Sequence, residues 1–309
     1  LGNTLPDVAF YGSTEKNGPG NTEYGAFPTT KQTIILYYST AYQARQMDTI
    51  TTDNILLRAN SDGVATLTLN RPAARNALST GLMAALQTEL DTIATDGDIR
   101  VVVIAANGPA FCAGHDLREV RGTPTREAYE ALFAQCSALM LSIMRLPQPV
   151  IARVHGTATA AGCQLVATCD LAVAAESARF ATPGVNIGLF CSTPMVAVSR
   201  NLGRKQTMEM LLTGDMIDAK AAITGGLINK AVPDDTLDDA IDAYCRQIVS
   251  KSPLTLKIGK EAFYRQLEMP LEDAYAYASE VMVTNMLARD AEEGIDAFLE
   301  KRDPEWTGE

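Results

Sequence analysis

The stretch from Arg153 to Thr193 reads RVHGTATAAGCQLVATCDLAVAAESARFATPGVNIGLFCST, and its chemistry begins where side chains are smallest. VIARV is strand-like and ends on His155-Gly156; the run from Thr157 to Gly162 then lets the backbone turn tightly and enter a helix. Ala160-Ala161-Gly162 has almost no side-chain bulk, so a ligand can approach the amides themselves. Free N–H groups at a helix start carry partial positive charge and attract anions or developing oxyanions. The helix is expected to run through Cys163, Gln164, Leu165, Val166 and Ala167 to about Cys169-Asp170, with a buried strand LAVAAE behind it. These residues alone make a strand, a small-residue turn and a helix, with a candidate oxyanion site at the joint.

Other elements must position that joint. ILLRANSDGVATLTLN reads as two strands joined at Ser61-Asp62-Gly63, a good hairpin turn. Pro72 follows the second strand, and STGLMAALQTELDTIATD has helical apolar spacing with Ser79 or Thr80 able to cap it. VVVIAA is wholly apolar and suits a sheet covered on both faces. A turn at AFCAGHDL, a helix from about Thr125 to Leu146 and the PVIARV strand come next. This alternation predicts an α/β core of stacked ββα units over residues 47–235. From residue 236 to 309 only helical patterns occur.

Residues 1–46 read differently. GSTEKNGPGNTEYG has no periodicity and predicts loop or disorder, and the segment lacks the layout of a signal peptide or a good transit peptide. Met47 would serve as a start, which makes 1–46 an extension outside the core. A chain of 309 residues, 47% apolar and 20% charged, has ordinary globular composition. A net charge of −11 argues against a nucleic-acid partner, and no apolar run is long enough to span a bilayer. Six cysteines at 112, 136, 163, 169, 191 and 245 form no CxxC pair, so buried thiols in a reducing compartment are expected and no metal. The expected location is the cytoplasm, or the mitochondrial matrix in a eukaryote.

NRPAARNAL (Asn70–Leu78), AFCAGHDL (Ala110–Leu117), the GxxxAAG turn (Gly156–Gly162), LLTGDMIDAKAAITGGLINKAVP (Leu211–Pro233) and GIDAFLEKRDPEW (Gly294–Trp306) occur in one order. In that order they resemble the crotonase, or enoyl-CoA hydratase/isomerase, superfamily. The resemblance covers about residues 50 to 306 and implies a crotonase fold whose helical tail builds a homotrimer or homohexamer. It also implies an acyl-CoA thioester as substrate, with no cofactor beyond the coenzyme A of that substrate. Motif matching places the family's two backbone oxyanion donors at His115 and Ala161. Ala113, Asp116, Leu117, Ala160, Pro183 and Gly184 would line the substrate, and Arg75 would lie near the nucleotide end. Lys257 or Lys260 offers a further phosphate contact, while Pro109 stands where the family often has lysine.

The acid–base positions depart from the pattern. Hydration of an enoyl thioester uses one carboxylate to activate water and another to deliver a proton. Motif matching puts Gln164 and Gly184 at those glutamates, and Ser192 at the acid of isomerase-type members. Gln164 can position a water but cannot take a proton. His115 offers a titratable ring, His155 reads as a packing residue, and Asp116 as an anchor of its turn. Glu119, Glu127, Tyr129 and Glu130 lie on the helix expected to roof the acyl pocket. Cys163 and Cys191 read as inert thiols. The primary reading is an acyl-CoA enzyme whose oxyanion hole carries the chemistry, with decarboxylation or thioester hydrolysis as fitting reactions. An atypical slow hydratase and a non-catalytic acyl-CoA-binding subunit are the alternatives.

Overall fold

The computed structural model describes residues 54–309. The extension assigned to residues 1–46 lies outside the described residues. The hairpin forms where Asp62-Gly63 permits it: β1 (Leu56–Ser61) and β2 (Val64–Leu69) pair antiparallel, with both turn residues at positive φ. Ser79 caps α1 (Thr80–Ile93), its hydroxyl accepting the Leu82 amide at 3.1 Å.

Three strand pairs follow, and each divides its strands between two sheets. They are β3 (Val101–Ala106) with β4 (Ala110–Cys112), β5 (Val150–Val154) with β6 (Thr157–Thr159), and β7 (Leu171–Ala175) with β8 (Arg179–Ala181). The first member of each pair joins a six-stranded sheet ordered β1-β2-β3-β5-β7-β10, where β10 is Lys230–Val232. The second joins a four-stranded sheet ordered β4-β6-β8-β9, where β9 is Ile217–Asp218. Apart from β1/β2 and β8/β9 the pairings are parallel. The short helix α2 (Leu117–Gly122) and α3 (Arg126–Arg145) follow the first pair, and α4 (Ala161–Thr168) follows the second.

Side-chain alternation sorts β3 between two apolar clusters. Val102, Ile104 and Ala106 face the main core with α1, α3 and α4; Val101 and Val103 face a second cluster on the other side of the sheet. That second face is covered by Leu237, Ala240, Ile241 and Cys245 of α8 (Leu237–Val249). Between β8 and α8 the chain forms α5 (Ser192–Val198), α6 (Arg204–Thr213) and α7 (Ala219–Gly225).

The chain ends in α9 (Pro253–Gln266), α10 (Leu271–Met286) and α11 (Arg289–Glu300). A buried polar latch docks α9 on the core. Lys260 pairs with Asp170 at 2.7 Å and donates to the carbonyls of Ile143 and Gln148 at 3.0 and 2.9 Å. Tyr264 donates to the other Asp170 oxygen at 2.8 Å. Burial pulls the Lys260 ammonium below its ordinary pKa and the Asp170 charge pulls it back. Lys260 is therefore not a phosphate contact, and that expectation is corrected: its three donors are spent inside the fold. Large apolar side chains remain exposed on the last two helices, among them Tyr275, Met282 and Phe298.

Candidate active site

The end of β4 and the start of α4 meet because neither carries bulk at the contact. A Cβ on Gly114 would lie 2.9 Å from Ala160 Cβ, 3.2 Å from the Thr159 carbonyl and 3.4 Å from the Ala161 amide. One on Gly162 would overlap the Cys112 carbonyl. Gly114 sits at φ +96°, a left-handed conformation that favours glycine, and Ala160 is held at φ 50° as the residue before the helix. Thr159 ties the same segments together, its hydroxyl donating to the Ala113 carbonyl at 3.1 Å.

Register determines which amides are left over. Leu78 donates to the Gly114 carbonyl at 2.7 Å and accepts the Asp116 amide at 3.2 Å. His115 lies between those two bonds, so its own N–H points away from Leu78. The first bond of α4 runs from Gln164 N to the Ala160 carbonyl at 3.0 Å, so the Ala161 amide precedes the ladder. Among the described residues, no backbone carbonyl accepts from His115 or Ala161. The two expected donors are uncommitted, on segments that touch.

Asp116 anchors the turn as expected. It caps α2 through the Arg118 amide at 3.1 Å and pairs with Arg71 at 2.9 Å. Burial pushes its carboxyl up, but the Arg71 bond and charge with the Arg118 and Glu119 amides outweigh that and hold it below the usual range. Ala113 donates to the Arg75 carbonyl at 3.1 Å, so the exposed Arg75 borders this turn through its backbone. Leu117, half exposed, begins α2 beside the same turn.

The acid–base positions hold nothing that titrates usefully. Gln164 is buried, its Oε1 facing the Cys136 thiol at 4.0 Å. Gly184, in the short helical turn Pro183–Ile187, has no room for a side chain: a Cβ would lie 2.8 Å from the Leu189 carbonyl and 2.9 Å from Cys191 Sγ. Ser192 is exposed and donates to the Phe190 carbonyl at 3.3 Å. Burial pushes the thiols of Cys112, Cys136 and Cys163 up to about 12, and raises Cys191 as well, so they stay protonated. The acids of the roof stay outside. Glu119 accepts the Thr80 amide at 2.8 Å, Glu130 pairs with Arg126 at 2.7 Å, and Glu127 is exposed. His155 packs as expected, with Nε2 at 2.8 Å from the Gly108 carbonyl.

The sequence did not place two residues over the site, although it marked Cys136 as a buried thiol. Phe133 meets the His115 ring edge-on at 5.8 Å, and Cys136, three residues along α3, meets Gln164. Positions i and i+3 share a helix face, so His115 and Gln164 both face one side of α3. The helical periodicity of 126–145 carried that signal. Arg71, the partner of Asp116, had none, because the pair is 45 residues apart in sequence.

The model of the enoyl-CoA hydratase/isomerase family matches residues 59–309. The chain belongs to that family. Human enoyl-CoA hydratase domain-containing protein 3, mitochondrial, is 46% identical over 248 residues, covering 80% of this chain and 82% of that one. The crystal structure of that human protein superposes with a TM-score of 0.80 at 45% identity, over 82% of this chain and all (100%) of the other. An enoyl-CoA hydratase from Mycobacterium smegmatis gives a TM-score of 0.80 at 57% identity, over 82% and 98%. The 2,3-dehydroadipyl-CoA hydratase of Escherichia coli K12 is 36% identical over 82% of this chain and 98% of its own length. Within the crotonase superfamily this chain lies on the branch of enoyl-CoA hydratase domain-containing protein 3. Its fold is the crotonase fold, with the C-terminal helices present. Among the described residues no helix is long and apolar enough to cross a membrane.

Proposed function

We propose that this member of the family is an acyl-CoA enzyme in which the amides of His115 and Ala161 hold the thioester oxygen as negative charge develops on it. The observation that carries the reading is the contact of Gly114 with Ala160-Ala161, beside two amides that no backbone carbonyl of the described residues uses. Preorganised donors of this kind lower a barrier by about 2.7–4 kcal/mol each in a measured case. Ala113, Asp116, Leu117, Ala160, Pro183 and Gly184 frame the acyl group, Arg75 lies toward the nucleotide, and coenzyme A enters only as part of the substrate. With Gln164 and Gly184 in place of carboxylates, reactions driven chiefly by enolate or tetrahedral-intermediate stabilisation fit best: decarboxylation or thioester hydrolysis.

A second reading, slow hydration with a water on Gln164, is favoured by the hydratase names among the relatives. A non-catalytic acyl-CoA-binding subunit is the third, and the uncommitted amides weigh against it. The exposed apolar side chains of α10 and α11 support assembly into a homotrimer or homohexamer. The vertebrate relatives are named as mitochondrial, which supports the matrix if this chain is eukaryotic; the cytoplasm is the alternative. Calorimetric titration with butyryl-CoA and with the thioether S-butyl-CoA, which lacks the carbonyl, tests the hole. The thioester should bind about tenfold tighter, a ratio expected of one to two hydrogen bonds, and Ala161→Pro should erase the preference. An equal preference in that variant sinks the assignment.

A further inference from the structure

The side chain of His115 is left unexplained by a role confined to its amide. Both ring nitrogens are buried, and among the described residues neither has a hydrogen-bond partner. The ring stands edge-on to Phe133 of α3, on the helix face that also covers Gln164. Burial is the main influence on the ring and lowers its pKa; the Leu78 carbonyl, short of hydrogen-bond geometry, and the Glu119 carboxylate pull it partly back. The neutral ring carries one donor and one acceptor. Leaving such groups buried and unpaired forfeits their hydration with nothing in return, so an imidazole held here is kept for something that arrives.

The position says what arrives. If the His115 amide takes the thioester oxygen, carbons two bonds along the acyl chain fall within reach of that same residue's side chain. We propose that His115 is a specificity-determining residue whose imidazole hydrogen-bonds an oxygen on the third acyl carbon, so the substrates are 3-hydroxy-, 3-oxo- or carboxyacyl-CoA thioesters rather than plain hydrocarbon ones. The inference rests on the thioester-binding reading above. Among the described residues no carboxylate is bonded to the ring to orient it as a general base, which is why recognition is assigned and proton abstraction is not. The alternative occupant is a water, which would leave hydrocarbon chains equally welcome.

The test is calorimetric titration of the full chain with butyryl-CoA, 3-hydroxybutyryl-CoA and malonyl-CoA. At least one oxygenated thioester should bind about tenfold tighter than butyryl-CoA, as one buried hydrogen bond requires. In His115→Phe that ratio should fall toward one, while His115→Gln, which keeps a donor and an acceptor, should retain about threefold or more. Thermal unfolding of both variants checks that they fold. Equal affinities in the wild type, or a ratio that survives His115→Phe, overturn this inference and leave the function standing. Failure of all three thioesters to bind overturns both.

Discussion

The two halves of the site obey different rules. On the side of β4 and the start of α4, everything the proposed chemistry needs is main chain: Gly114, the His115 amide, Ala160 and the Ala161 amide, on segments whose contact a Cβ at Gly114 would disturb. On the side of Gln164, Gly184 and Ser192, the chemistry would need carboxylates, and none is there. A backbone donor survives a change of side chain, so histidine and alanine at the amide positions keep the geometry. An acid does not survive replacement by an amide, a hydrogen or a hydroxyl. Under the proposed function, then, the charge-stabilising half would persist where the proton-transfer half is lost, and the reaction would follow the half that remains.

The contrast can be broken first at Gly162. Gly162→Val would drive a side chain into the Cys112 carbonyl and push α4 from β4. We expect about 3 kcal/mol of destabilisation in urea unfolding, at the upper end for overpacking. Thioester affinity should fall with it. Restoring an acid on the other side should fail for a related reason. Gly184→Glu meets the Leu189 carbonyl and Cys191 Sγ, so it should cost about 1–3 kcal/mol and give no gain in crotonyl-CoA hydration followed by enoyl absorbance. A stable, hydrating Gly184→Glu protein would show that the loop 184–191 yields and the acid side is open after all.

The smallest effect sharpens the boundary between the halves. Burial, its largest cause, holds the His115 ring below its usual pKa against the partial pull of Leu78 and Glu119. Between that lowered value and about 6.5 the unfolded chain binds a proton that the folded chain does not. Stability should therefore fall as pH drops through that window, and this group should contribute nothing above it. His115→Phe should flatten the stability profile between about pH 7 and pH 5, by no more than about 1.4 kcal/mol per pH unit. Parallel profiles would place the ring in water.

The close approach of β4 to the start of α4 was legible in the sequence because its determinants are local. AFCAGHDL and GTATAAG each carry the glycine and small residues that their own backbone requires. The αβ alternation and the helical tail were legible for the same reason, as periodicity within each segment. What was not legible depends on distant partners. The Lys260–Asp170 pair joins residues 90 positions apart, which turned an apparent phosphate contact into a structural latch. The burial of the His115 ring depends on Phe133 of another element, and the tight space at Gly184 depends on how the chain folds back at Leu189 and Cys191.

Isotope-edited infrared spectroscopy of butyryl-CoA labelled with carbon-13 at its carbonyl, free and bound to the full chain, tests the central claim most directly. Two hydrogen bonds from the His115 and Ala161 amides should polarise the carbonyl and move its stretch to lower frequency on binding, and Ala161→Pro should return most of that shift. A bound thioester whose carbonyl absorbs where it does in water would contradict the account, because the amides would then be holding nothing.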